Sequence, residues 1–329
     1  MKYFYTFLPY VCLLLCLLSC KRIPLYEPQS DVYLKLDLRL NTELSLNDDI
    51  DIESDASLAE KVYGKSPEMV RACFYDISTH ALEAEAFLPA EGGFIEIPSG
   101  TYDLIVYSLG NEVTQIEGTE KRASGRAFTS EVGQRLKVTK SGSTKAMDFN
   151  VIYEPDHLFV GRMEGVHIPV HSEIDKTVVI EAQMCTLLET YSFEIVNVTG
   201  AGNIQKADVY ITGQAPSKYL WDGRYPLNPC AIYFPAEVNV NKGHIYSVFN
   251  TFGKIPGIES DVLLNVIVTT SSGGKYQWIF DVTDQFDNPD NTRHEIIIKD
   301  EVDIPAEGSG GGFTADVNPW EPTIIPIKL

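Results

Sequence analysis

The amino-acid sequence predicts a mostly β protein built of two β-sandwich domains in tandem, and three observations lead there. Asp31 to Leu40 reads DVYLKLDLRL, with Val32, Leu34, Leu36, Leu38 and Leu40 on one face and Tyr33, Lys35, Asp37 and Arg39 on the other. Such strict alternation marks a half-buried antiparallel strand. Further short apolar segments follow, separated by turn clusters every 8–12 residues or so, the rhythm of Greek-key sandwiches rather than of a parallel α/β sheet. At 329 residues the chain also exceeds what a single core ordinarily organises.

The elements follow in order. After an acidic stretch, Ser57 to Tyr63 reads as a short helix. Val70 to Ile77, Phe94 to Ile97 and Tyr102 to Ser108 read as strands, with Pro98-Ser99-Gly100 turning the chain between the last two. Arg135 to Thr139 and Lys145 to Tyr153 complete the expected first domain. Glu154-Pro155-Asp156 then marks the boundary, which gives domains of 31–155 and 156–329. In the second half, strands are expected at Lys176 to Ala182, Tyr191 to Val198, Ala207 to Thr212, Ala231 to Phe234 and Ile245 to Thr251. Val262 to Thr270, Lys275 to Val282 and His294 to Ile298 continue the series. Gly308 to Gly312 reads as a flexible spacer before a last strand, Thr323 to Leu329.

The N-terminus carries an address. Lys2 precedes a short apolar run, Tyr3 to Leu18, that closes at Ser19-Cys20 and is ended by Lys21-Arg22. This is the form of a secretory signal peptide; Pro9 and the short length argue against a membrane span. Leu17-Leu18-Ser19-Cys20 resembles a bacterial lipobox. That likeness implies cleavage after residue 19, acylation of Cys20, a tether over residues 20–30 and attachment to the outer membrane. Removing the leader leaves Cys73, Cys185 and Cys230 beside Cys20. Three widely spaced cysteines form neither a disulfide framework nor a zinc site, and burial as small apolar groups is expected. A formal charge of −20 excludes a basic nucleic-acid footprint and electrostatic adhesion to anionic lipid.

Four places carry a wider resemblance: the lipobox, the alternating strand at Asp31 to Leu40, the segment Ile97-Pro98-Ser99-Gly100-Thr101-Tyr102-Asp103-Leu104, and the tail from Gly310-Gly311-Gly312-Phe313 to Trp320-Glu321. Together they resemble the fimbrillin-type lipoproteins of Bacteroidetes. Tyr153-Glu154-Pro155-Asp156-His157-Leu158-Phe159-Val160-Gly161 more specifically resembles an uncharacterised lipoprotein family of that group. The resemblance implies transthyretin-like sandwiches, a cell-surface location and a fimbrial (pilus) subunit, tip or anchor that joins other subunits by strand exchange in adhesion. It also implies that an arginine-specific protease could cut after Arg39, removing the first strand so that another subunit's C-terminal strand can take its place.

The search for chemistry returns no enzyme motif: no Gly-x-Ser-x-Gly elbow, Walker loop or His-Glu-x-x-His occurs. His167 and His171 flank an extended Ile168-Pro169-Val170 and read as packed or solvated residues rather than ligands. Asp49, Asp51, Glu53, Asp55 and Glu60 have the spacing of a calcium loop, but Ser54 stands where the sharp turn needs glycine. Asp281, Asp284, Asp287 and Asp290 recur every third residue and read as solvated surface, so neither metal nor cofactor is expected. Tyr219, Trp221 and Tyr225 could stack sugar rings, against the plainer reading that they cover a sandwich core. Trp278 is assigned to the core, and Trp320 is expected to plug the last strand against the second domain. Two function classes therefore stand: a fimbrial subunit, or a monomeric surface lipoprotein that binds a glycan or other ligand.

Overall fold

The computed structural model describes residues 29–39, 67–169 and 178–305. The expected helix at 57–63, the acidic 49–60 segment and the strand at 323–329 lie outside them, as do Cys20, His171 and Trp320. The described residues are nearly all β, in two sandwich-like units.

The first unit contains β1 (Gln29–Arg39), β2 (Met69–Asp76), β3 (Leu82–Pro89), β4 (Gly92–Pro98), β5 (Gly100–Ser108), β10 (Phe159–Ile168) and β11 (Val178–Thr186). Their order is β3-β2-β5-β10-β11-β1-β4. Strands β10 and β11 meet only at a corner, Phe159 to Gly161 against Met184 to Thr186. The sheet therefore folds on itself, and its halves face each other over one core. Val70, Ala72, Phe74, Leu104 and Val106 come from one side, and Val32, Leu34, Ile95, Ile97 and Met184 from the other. The turn at Pro98-Ser99-Gly100 is this crossing, since β4 pairs with β1 whereas β5 pairs with β2 and β10. Tyr102 folds back so that its hydroxyl donates to the Pro98 carbonyl at 3.0 Å. A β-carbon on Gly100 would stand 3.0 Å from that hydroxyl, which accounts for glycine in the motif.

The second unit contains β8 (Glu131–Thr139), β9 (Ala146–Tyr153), β12 (Glu189–Thr199), β13 (Ile204–Gln214), β15 (Cys230–Asn239), β16 (His244–Thr251), β17 (Leu263–Thr270), β18 (Lys275–Asp281) and β19 (Glu295–Asp303). Strand β15 belongs to both layers. Ala231 to Tyr233 pair with β9, while Glu237 to Asn239 pair with β16. Between the layers lies a core of Phe193, Ile195, Val209, Ile232, Phe234, Phe249, Leu264 and Val266, against which Trp278 packs as expected. A small three-stranded sheet joins β6 (Gln115–Glu117), β7 (Arg126–Phe128) and β14 (Ser217–Tyr219).

Sheet membership is interleaved. The expected cut at 155/156 falls where the chain passes between sheets, but the flanking strands sit opposite to expectation. Strands β8 and β9 join the second sheet through β15, and β10 and β11, which follow the cut, complete the first. Alternation and turn residues mark where a strand stops; they do not say which sheet it joins. A third cluster seals the seam. Cys73, Tyr75, Ile105 and Tyr107 on the outer face of β2 and β5 pack against Leu158, Leu187, Leu220, Phe252 and Ile255. Because β2 and β5 bury both faces, they read as continuous apolar runs rather than alternating ones.

Candidate assembly surface

Strand β1 occupies the middle of its half-sheet. It runs antiparallel to β4 and parallel to β11, so Tyr33 lies opposite Phe94 on one side and Val179 on the other. Val32 and Leu34 point into the core and are fully buried. Arg39 is the last residue of the strand, paired with Cys185. On the outer face, Phe94 and Tyr33 meet edge to face at 4.9 Å, and with Val179 they form an apolar row across three strands. Phe94 is 68% exposed and Val179 56%. Eight residues lie between Cys20 and Gln29, a span of at most about 30 Å when fully extended.

The segment Glu154 to Gly161 stitches the two units together, residue by residue. The Glu154 carboxylate accepts the Asn250 amide at 3.0 Å, fixing the segment to β16. Asp156 accepts the backbone N–H groups of Glu112, Val113 and Thr114 at 2.6, 3.2 and 2.6 Å, which pins the loop after β5. Burial alone would raise this carboxyl, but the bonds from Thr114, Val113 and Glu112 outweigh it and hold the group below its usual range. Leu158 and Val160 then face the seam, while Phe159 faces the first core. At Gly161 a β-carbon would lie 2.9 Å from the Gln183 carbonyl oxygen, so only glycine lets β10 approach β11 at the corner.

The aromatic loop serves the same seam. Trp221 and Tyr225 pack against the seam cluster, and each ring carries a cation. Arg122 lies over Trp221 at 4.4 Å and Lys218 over Tyr225 at 5.1 Å, while Arg224 covers Tyr219 at 4.0 Å. Arg122 is itself ion-paired to the buried Asp103. The Leu220 amide donates to the Gly125 carbonyl at 2.8 Å, and the Arg162 guanidinium donates to the Leu220 carbonyl. The three rings that could stack a sugar thus each hold a cation of the protein's own on one face.

The remaining candidates are placed as follows. His167 is exposed beside Thr101. Asp281 bonds Lys140 at 2.6 Å and Asp287 bonds Lys254 at 2.5 Å. Among the described residues no three His, Cys, Asp or Glu side chains converge as a metal site. Cys73 and Cys230 are buried and Cys185 is partly exposed, all three as free thiols. No helix among the described residues is long and apolar enough to cross a membrane.

The family described as "Domain of unknown function (DUF5119)" matches residues 59–234, more than half of the chain and the whole of the stitched segment. The chain belongs to that family. Over 325 residues it is 23% identical to a protein of Bacteroides ovatus named "Putative fimbrium anchoring subunit Fim4B", covering 98% of this chain and 86% of that one. A crystal structure described as "a putative adhesin from Bacteroides ovatus" superposes with a TM-score of 0.59 at 19% identity, over 84% of this chain and 93% of that chain. That fold likeness extends across both units. The fimbrial anchor protein Mfa2 from Porphyromonas gingivalis superposes with a TM-score of 0.46 at 13% identity, over 81% and 88% of the two chains.

Proposed function

We propose that this protein is a fimbrial subunit of the anchoring kind, held on the outer face of the outer membrane by lipid on Cys20. The observation that carries the reading is the likeness, along 98% of the chain, to a protein named as a fimbrium anchoring subunit. The role is structural rather than catalytic. In this reading β1 is the mechanical link between membrane and fimbrium. The lipid attaches about 30 Å or less before Gln29, and β1 is hydrogen-bonded on both sides, to β4 and β11. Tension on the tether then shears two ladders at once instead of peeling one.

The same placement bears on the fate of Arg39. Cleavage there would sever the lipid from the body unless β1 stayed bound through its ladders. An anchor therefore keeps β1, whereas a stalk subunit gives it up. The decisive experiment deletes the gene in its native host and images the cells and the culture medium. Fimbriae shed into the medium and restored to cells by the wild-type gene, but not by Cys20→Ala, support the anchoring role. Unchanged cell-bound fimbriae in the deletion strain overturn it.

A further inference from the structure

Strand β19 is the last in its sheet and, among the described residues, pairs with β12 alone. The Ser192 amide donates to the His294 carbonyl, so alternation turns the backbone groups of Glu295 and Ile297 to the open side. Two side-chain amides from the segment after β18 meet them there. Gln285, in the single-turn helix α1 (Thr283–Phe286), accepts the Ile297 N–H at 2.8 Å and donates to the Ile297 carbonyl at 3.1 Å. Asn291 does the same for Glu295, at 3.0 and 2.9 Å. Facing residues of an antiparallel ladder exchange this same pair of bonds. Each amide therefore stands where the backbone of a neighbouring strand would stand. Phe286 holds the segment in place, buried and stacked on Tyr191 at 4.3 Å.

The stretch under this cover is self-complementary. Glu295-Ile296-Ile297-Ile298-Lys299 reads acid, three isoleucines, base. Two copies laid antiparallel about a two-fold axis at Ile297 set Glu295 of each opposite Lys299 of the other, and Ile297 opposite its own counterpart. Ile297 and Lys299 are exposed on the outer face, while Ile296 and Ile298 stay in their own core. One oxygen of the Glu295 carboxylate, Oε1, is buried with no hydrogen-bond partner, a state that a facing ammonium would relieve. Beyond Ile298 the register against β12 shifts, and Lys299, Asp300 and Glu301 carry the edge onward. Charge and a bulge blunt an open edge by themselves, whereas an apolar run needs a cover. The two amides fall on the apolar half.

We propose that residues 283–291 are a cap that holds off a second copy of this chain. Uncapped, β19 of one copy pairs with β19 of another about a two-fold axis, and the sheets of the two second units join. No strand leaves its own sheet, and none enters the other copy's core. The inference concerns the second unit alone and stands apart from the fimbrial reading. The formal charge of −20 opposes any approach of two copies, but beyond about 8 Å that repulsion is screened at about 0.15 M salt.

The test compares the purified protein with the double variant Gln285→Ala and Asn291→Ala by sedimentation velocity at that salt concentration. The wild type is expected to sediment as a monomer, and the untied variant to dimerise at least about tenfold more tightly. Adding Lys299→Glu, which sets glutamate against Glu295, returns the variant to monomer. Adding Glu295→Lys as well restores opposite charges and recovers the dimer. Hydrogen exchange on the dimer should show new protection at 295–299. Should the double variant fold poorly, Gln285→Glu, which keeps an acceptor for Ile297 and loses the donor, takes its place with the same charge changes. A wild type that dimerises as tightly as the variant, a folded variant that remains monomeric, a dimer indifferent to Lys299→Glu, or one that the charge swap fails to restore would each overturn the proposal.

Discussion

The Asp156 carboxylate accepts the Thr114 amide at 2.6 Å, and the Thr114 hydroxyl donates back to the Asp156 carbonyl at 2.9 Å. Two segments 42 residues apart are thereby locked at the point where the chain returns from the second sheet to the first. The carboxyl is held below its usual range, so its contribution is complete above the unfolded value of about 3.9 and is lost as pH falls through the folded value. Asp156→Ala should lower stability by about 2–3 kcal/mol at neutral pH, three donors to one charged acceptor being lost. In urea titrations the gap between variant and wild type should narrow below about pH 4. A gap that is constant down to strong acid would remove Asp156 from this role.

Lys140 performs a similar service at the tip of the β8–β9 hairpin, bonding Asp261 at 2.9 Å and Asp281 at 2.6 Å. These bonds hold the end of the hairpin to the sheet through β17 and β18. Replacing Lys140 with Met should speed hydrogen exchange within 131–150 while leaving the main thermal transition nearly unmoved. High salt should reproduce part of the effect in the wild type, because the ammonium is partly open to solvent and screened.

Phe252 is fully buried in the seam between the two units. Phe252→Ala should cost about 3–5 kcal/mol, from lost transfer energy and the cavity left behind. Because the seam is what couples the sandwiches, calorimetry should show one transition in the wild type and two in the variant. A single transition shifted to lower temperature would mean that the crossings alone keep the units cooperative.

The thiols should divide by burial. Burial pushes Cys73 up to about 11 and Cys230 higher still, and both are closed to solvent. Alkylation of the native protein at pH 8, followed by peptide mapping, should therefore mark Cys185 alone among the three. Labelling of Cys73 before Cys185 would contradict the placement of β2 in the seam.

Much of this architecture was legible in the sequence where apolar pattern and turn chemistry agreed. The alternating run became β1 as far as Arg39, and Pro98-Ser99-Gly100 became a sheet crossing. Strand β3 was not foreseen, because Leu82-Glu-Ala-Glu-Ala-Phe-Leu-Pro89 is rich in helix-forming alanine and glutamate and its small residues face inward. Strand β10 was not foreseen either. Gly161 and Gly165 interrupt it, and its register shifts between Met163 and Val166. In β3, Phe87 departs from the alternation of the strand, standing exposed where a polar residue is called for. Of the cations over the aromatic loop, Lys218 and Arg224 lie within it, whereas Arg122 over Trp221 comes from a loop about a hundred residues away and left no trace that could be read.

The pairing of β1 with β11 also fixes an order of events. Val32 lies opposite Val178, so β1 gains the second of its two ladders only from a partner nearly half the chain behind it. Contacts of such long range make folding slow and leave intermediates exposed. The leading sandwich therefore cannot close before β11 has been made. Truncation anywhere before Thr186 would leave β1 with only part of its sheet.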